Sequence, residues 1–197
     1  MESMTDTQLA VLSQRGDRQA FTVLARRWER RLLLFLLRLL GKREEAQDTC
    51  QEALLRAFVS IHTLRQPEHF GTWLHRIALN VGRDRLRSQQ RRDLRLVGLD
   101  DEPVGEIASG DAGPHERAER GDAATRVRKA LAMLPDEQRT AILLRELEGF
   151  TSQEISTITG VPAATVRSRV FYGLKALRRM LPEHGLASAP AEGGMGQ

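Results

Sequence analysis

The side chains with the clearest chemical potential cluster near the C-terminal end of the chain. Ala164, Thr165, Arg167, Ser168, Arg169, Tyr172 and Lys175 fall on one side of a helical wheel, opposite Val166, Val170, Gly173 and Leu177. Guanidinium groups pair with guanine edges or phosphates, and hydroxyls can bond to either. A helix face carrying those groups suits insertion into the major groove of DNA. A second group, Arg76, Asn80, Arg83 and Arg87, shares one side of another helical stretch. There an amide can bond a base edge while arginines neutralise phosphates. A third group, Asp48, Gln51, Glu52 and Leu55, recurs at i, i+3, i+4 and i+7. Carboxylates and an amide around one apolar side chain make a face able to dock a basic helical partner.

Nothing comparable supports catalysis. The chain has no evident nucleophile–base pair and no phosphate-binding glycine loop. Its five histidines, His62, His69, His75, His115 and His184, lack HExxH spacing and a clustered carboxylate partner. The single cysteine, Cys50, excludes an intrachain disulfide and a cysteine-based zinc site, and reads as a small core residue. No enzyme activity, metal, cofactor or small-molecule substrate is expected.

Charge is distributed in blocks. Residues 1–92 carry a net +7, residues 93–122 a net −6 and residues 123–182 a net +5, within an overall +4. Two basic blocks joined by an acidic strap suit two surfaces that meet a polyanion. The start, MESMTDTQ, lacks the basic region of a signal peptide. The longest apolar run, Leu32 to Leu37, is far short of the ~20 residues that span a bilayer. A cytoplasmic protein without membrane insertion is expected.

These side chains require helices to hold them. Phe21, Leu24, Ala25, Trp28, Leu32, Phe35, Leu36 and Leu39 recur at three- and four-residue steps, and Gly41 ends that helix. A second helix runs from about Glu44 to Ile61, burying Ala46, Cys50, Ala53, Leu54, Ala57 and Ile61. After a loop containing Pro67, a third helix from about Phe70 to Arg87 buries Trp73, Leu74, Ile77, Ala78 and Val81. The second block opens with a helix near 123–133, buried through Val127, Ala130, Leu131 and Leu134. Another helix follows from Asp136 to Leu147. No sustained period-two pattern occurs, so the fold class is all-α.

The groove-binding face sits in the most specific local pattern. Thr151-Ser152-Gln153-Glu154 fits a capping box, flanked by Phe150 and Ile155 as a hydrophobic staple. The short helix Ser152–Thr159 buries Ile155 and Ile158. Gly160 permits a tight turn, and Pro162 suits the first turn of the next helix. That is a helix-turn-helix.

Residues 134–181, LPDEQRTAILLRELEGFTSQEISTITGVPAATVRSRVFYGLKALRRML, strongly resemble region 4 of the extracytoplasmic-function sigma factors in the sigma-70 family. Arg139, the Leu-Arg-Glu-x-Glu-Gly segment and Thr165-Val166-Arg167-Ser168-Arg169 carry the match. Alone, this block also suits a regulator that binds duplex operators without polymerase. The first block distinguishes the two. Residues 46–58, AQDTCQEALLRAF, resemble region 2.2, and residues 70–87, FGTWLHRIALNVGRDRLR, resemble regions 2.3 and 2.4.

The resemblance implies two small helical domains: residues 15–92 as region 2, and residues 122–181 as region 4. A flexible acidic linker, 93–121, joins them, and 182–197 form a disordered tail. It implies that Asp48, Gln51, Glu52 and Leu55 bind the clamp helices of core RNA polymerase. Arg76, Asn80, Arg83 and Arg87 would hold the melted minus-ten strand, beside the loop His62 to His69. The face from Ala164 to Lys175 would read the minus-thirty-five duplex. An anti-sigma factor is the further partner implied. Family members often carry a basic residue where Gly71 and Leu79 stand, and more arginine where Tyr172 and Leu174 stand.

Overall fold

The computed structural model describes residues 3–93 and 125–181, with side chains described for 3–88 and 125–181. The expected linker interior and C-terminal tail therefore lie outside the described residues. Among the described residues the regular structure is entirely helical.

Helix α1, Asp6–Gln14, is opened by a capping box in which Thr5 and Gln8 satisfy each other's backbone N–H groups. Helix α2, Arg18–Leu40, starts where the Asp17 carboxylate accepts from the N–H groups of Gln19 and Ala20. It stops at Gly41, whose φ of 80° is the left-handed conformation that closes a helix. Helix α3, Arg43–Ser60, has Glu44 and Glu45 in its first turn, where the helix dipole favours anions. Two single 3-10 turns, Ile61–Thr63 and Pro67–His69, lead into α4, Phe70–Asp93.

These four helices form one bundle. Its interior holds Leu9, Leu24, Leu32, Phe35, Leu36, Leu74 and Leu79, all at most 1% exposed. Helix α3 lies close to its neighbours because its inward positions are small: Ala46, Ala53 and Ala57 are completely buried. Each fully buried leucine contributes roughly 1.5–3 kcal/mol relative to exposure. The inward stripe of α4 differs from the expected one. Trp73 and Ile77 are half-buried, whereas Leu79 is fully buried, because α4 has α2, α3 and a helix of the second half around it.

The second half comprises α5 (125–132), α6 (Asp136–Ile142), α7 (Ser152–Thr159) and α8 (Ala163–Met180). Val127, expected in the core, is 41% exposed; it lies one turn before the buried Ala130 and Leu131, at the edge of the packed surface. The expected continuous helix to Leu147 is also modified. Over Leu143–Leu147 the backbone widens into a π turn, with the Glu148 N–H donating to the Leu143 carbonyl. Helix α6 packs on α8, and α7 on α8, around Ile142, Leu143, Ile155, Val166 and Leu177.

The two halves touch. Helix α7 packs on α4, and the π turn packs on α2. Sequence reasoning left that contact open.

Candidate nucleic-acid interface

The helix-turn-helix forms as its residue types dictate. The Thr151 backbone N–H donates to Glu154 Oε2 at 2.8 Å, and the Glu154 N–H donates to Thr151 Oγ1 at 3.2 Å. The bond from the Thr151 backbone, the largest cause, and a further one donated by the Thr151 hydroxyl to Glu154 Oε2 hold the Glu154 carboxyl below its usual range. Gly160 takes a φ of 75° at the end of α7, and Pro162 stands immediately before α8 as its cap residue. Val166, Gly173 and Leu177 face inward, and Val170 is half-buried.

The opposite face of α8 is free. Ala164, Arg167, Ser168, Tyr172 and Lys175 are exposed, and Thr165 and Arg169 are half-buried. Ser168 Oγ donates to the Ala164 carbonyl at 3.2 Å, so its hydroxyl satisfies its own helix in this state. Phe171, which sequence reasoning passed over, is 62% exposed and packs edge-on to Tyr172 at 5.4 Å. Such a pair can meet a thymine methyl or the sugar edge. The signal was available: on a helical wheel Phe171 falls away from the inward Val166, Gly173 and Leu177.

On α4, Arg76, Asn80 and Arg87 are exposed and Arg83 is half-buried. The Arg83 guanidinium is held below its ordinary range, first by burial and then by the nearby Arg169 and Arg87, against the opposing pull of Glu137 and Asp136. Arg169 belongs to α8 and the two acids to α6. The Arg83 part of α4 therefore lies near α6 and α8 of the second half.

The stretch His62 to His69 is pinned from α1: Gln14 Nε2 donates to the carbonyls of Ile61 and Leu64. Phe70 is 1% exposed and unavailable for stacking, and Trp73 is half-buried against it. Trp28, half-buried, donates from Nε1 to Asp6 Oδ2 at 2.9 Å.

On α3, Asp48, Gln51 and Leu55 are exposed and Glu52 is half-buried. Arg85 of α4 lies 3.4 Å from Asp48 and 3.6 Å from Glu52, and Arg56 lies 2.6 Å from Glu52. These pairs are solvent-exposed and contribute little to stability. A shallow cleft of about 320 Å3 runs beside them, between α3 and α4. Val59, 73% exposed and one turn beyond the 66%-exposed Leu55, extends the apolar part of this face beyond the expected four residues.

One histidine departs from expectation. His75, completely buried, has a carboxylate partner after all: its Nε2 lies 3.2 Å from Glu148 Oε2. Glu148 comes from the far half of the chain, at the end of the π turn, which is why no local pattern revealed it. Among the described residues no three His, Cys, Asp or Glu side chains group to hold a metal. No described helix is long and apolar enough to cross a membrane.

A bundle and a helix-turn-helix, each with its own cationic face, define a two-part nucleic-acid-reading protein. Comparison with known proteins gives the family. The family described as Sigma-70 region 2 matches residues 24–92, and Sigma-70, region 4 matches residues 124–177. The RNA polymerase sigma-H factor of Pseudomonas aeruginosa is 36% identical over 89% of this chain and 93% of its own length. The ECF RNA polymerase sigma-E factor of Escherichia coli K12 is 31% identical over 89% of this chain and 94% of its own. The chain belongs to the extracytoplasmic-function sigma factors of the sigma-70 family.

Solved structures share the fold. The sigma factor RpoE of Bartonella quintana, solved with the anti-sigma factor NepR, superposes with a TM-score of 0.65 at 24% identity, covering 77% of this chain and 90% of that one. CnrH, solved with the cytosolic domain of CnrY, gives 0.64 at 24% identity, covering 89% and 96%.

Proposed function

We propose that this chain binds core RNA polymerase, directs it to a specific set of promoters, and contributes binding energy rather than catalysis to opening them. Residues 15–92 form the unit that docks on polymerase through Asp48, Gln51, Glu52 and Leu55. The same unit holds the non-template minus-ten strand with Arg76, Asn80, Arg83 and Arg87. Residues 122–181 read the minus-thirty-five major groove with Ala164, Thr165, Arg167, Ser168, Arg169, Tyr172 and Lys175, and residues 93–121 tether the two. The cellular site of action is the cytoplasm. An anti-sigma protein is the natural antagonist, as for the sigma factor RpoE of Bartonella quintana, solved with its anti-sigma factor.

The observation that carries this reading is the free face of α8. Its hydroxyl, guanidinium and ammonium groups stand exposed while the opposite face packs on α6 and α7. A separate bundle with an exposed acidic and apolar face on α3 is what an operator-binding regulator has no use for. The test is co-elution of the purified chain with bacterial core polymerase, against the variant Asp48→Ala/Gln51→Ala/Glu52→Ala. Stoichiometric binding by the wild type and at least tenfold weaker binding by the variant are expected. No binding by a folded, partner-free wild type would refute the reading.

A further inference from the structure

The outward face of α8 carries two side chains that a merely solvated helix face has no use for. Phe171 is 62% exposed and Tyr172 59%. Their rings meet edge to face, with centroids 5.4 Å apart and planes at 77°. Neither ring belongs to the packed core. Apolar side chains scattered singly over a surface need no explanation, but two adjoining aromatics left in water forgo the stabilisation that burial of such large rings gives. A contiguous exposed pair of this kind marks a contact still to be made.

Its surroundings say with what. Residues three and four apart share a helix face. Phe171 stands four residues after Arg167 and four before Lys175, and Tyr172 stands four after Ser168. At 1.5 Å per residue, each cation is about 6 Å from Phe171 along the axis. Arg167, Ser168 and Lys175 are exposed as well. The face is thus cationic at both ends and apolar in the middle. The cations suit a polyanion, and duplex DNA is the polyanion whose major groove admits an α-helix. On the floor of that groove the base edges present donors, acceptors and one apolar group, the C5 methyl of thymine. A ring carried into the groove therefore has one kind of apolar partner.

We propose that Phe171 and Tyr172 form an apolar reader that selects thymine, through its C5 methyl, at one position or two adjacent positions of the minus-thirty-five element. The inference rests on the promoter-reading proposal above and names the base this part of α8 prefers. Each ring holds the other in place, so the pair presents ring carbons rather than a freely turning side chain. Ser168, the polar neighbour one turn earlier, spends its hydroxyl on the Ala164 carbonyl and leaves the apolar spot uncontested. Arg167 reads base edges on one side of the rings, and Lys175 meets phosphate on the other.

Selection works in both directions. Thymine gains from burying its methyl against the rings, which is an effect of about fourfold in affinity. Cytosine at the same place offers no methyl, and its N4 amino group would be stripped of water against ring carbons that cannot accept its hydrogen bond. Two other roles for the pair leave different signatures. A Tyr172 hydroxyl bonded to phosphate would be blind to sequence and would need the oxygen, not the ring. A pair that covers a protein partner would leave DNA binding indifferent to the methyl.

The test uses the full chain bound to bacterial core polymerase, with core polymerase alone as the blank. Sites are selected from duplexes carrying a randomised window upstream of a fixed mismatched bubble. Each thymine of the selected window is then replaced by deoxyuridine, which removes the methyl and nothing else, and binding is read by fluorescence anisotropy. The wild type should bind about fourfold more weakly at one position or two adjacent ones. Phe171→Ala/Tyr172→Ala, with helix content checked by circular dichroism, should bind the thymine and uracil duplexes alike there and keep the wild-type salt slope. Tyr172→Phe, which restores the ring without the hydroxyl, should restore the uracil sensitivity that Tyr172→Ala loses. A selected window in which no uracil weakens the wild type overturns the proposal, and that result needs no variant. So does a methyl effect that survives in the folded double variant or is lost in Tyr172→Phe. If the double variant does not fold, the wild-type uracil series and Tyr172→Phe decide. A wild-type complex that selects nothing beyond core polymerase alone sinks the promoter-reading proposal and this one with it; selection without uracil sensitivity sinks this one only.

Discussion

Gly173 sits where α8 crosses α6, and adding one methyl group there tests how the recognition helix is held. A Cβ on Gly173 would lie 2.6 Å from Ile142 Cδ1, 3.3 Å from Ile142 Cγ1 and 3.4 Å from Gln138 Cβ. Two effects compete in Gly173→Ala. Alanine is favoured over glycine inside a helix by about 1 kcal/mol. Overpacking a close-packed core costs about 1–3 kcal/mol. Ile142 is only 4% exposed, so its terminal methyl has little room to swing away. Overpacking should win, leaving a net loss of about 1 kcal/mol. Ile142→Val alone deletes the clashing methyl and should cost about 0.5–1.5 kcal/mol through lost packing. In the double variant the clash is gone, the helix gain remains, and stability should return close to wild type. The singles would sum to a loss of about 2 kcal/mol, so the coupling is large enough to measure. Urea unfolding of all four proteins, followed by circular dichroism, gives the comparison. A Gly173→Ala protein as stable as wild type, or additive losses in the double variant, would refute the packing argument.

Thr151→Ala removes the cap of α7 and should cost about 1 kcal/mol in urea unfolding. Because the folded Glu154 carboxyl is held below its ordinary range, its part of that stability is present above the range and lost as pH falls through it; the gap between wild type and Thr151→Ala should therefore narrow in acid. Cys50 is 3% exposed, and burial, with help from Glu29, pushes its thiol up to about 11. Iodoacetamide should therefore alkylate the native protein at least a hundredfold more slowly than the urea-unfolded chain near pH 8. Arg167 lies near the start of α8, the end that reaches base edges, and Lys175 lies two turns further along. Arg167→Ala should cost about 1–3 kcal/mol on a preferred minus-thirty-five duplex and relax sequence preference. Lys175→Ala should weaken all duplexes alike and lower the salt slope by about one, both read by fluorescence anisotropy.

Features set within a few residues were legible in the sequence. The capping box at Thr151, the turn at Gly160 and the outward face of α8 depend on local chemistry, and each forms where the residue types require it. The same holds for Gly41 and the alternation that turns Asp48, Gln51 and Leu55 outward on α3. Contacts between distant segments were not legible. Between His75 and Glu148 lie the rest of α4, residues 94–124, α5 and α6, so nothing near His75 announces a carboxylate. The crowding around Arg83 likewise comes from α6 and α8, beyond α4's own bundle. The π turn was hidden for another reason: Leu143 to Leu147 has ordinary helix-forming residues, and the widening follows from where Glu148 and Phe150 are drawn.

The departures from the usual family pattern at Gly71 and Leu79 follow from the same packing. A Cβ on Gly71 would stand 2.3 Å from Cη2 of Trp28, inside the indole. Trp28 cannot readily yield, because Asp6 accepts from its Nε1 and Arg31 covers its ring. Leu79 is fully buried, where an ammonium or guanidinium group would lose its hydration without a partner. Neither position could take a cation without rearranging the core of the bundle. The proposed minus-ten face must therefore draw its positive charge from Arg76, Arg83 and Arg87. Of these, Arg83 is the one that burial and the second half's Arg169 bear on. The indole that excludes a side chain at Gly71 thus also supports the arginine that grips Glu148, so the composition of the proposed DNA face and the contact between the halves are set by one packing arrangement.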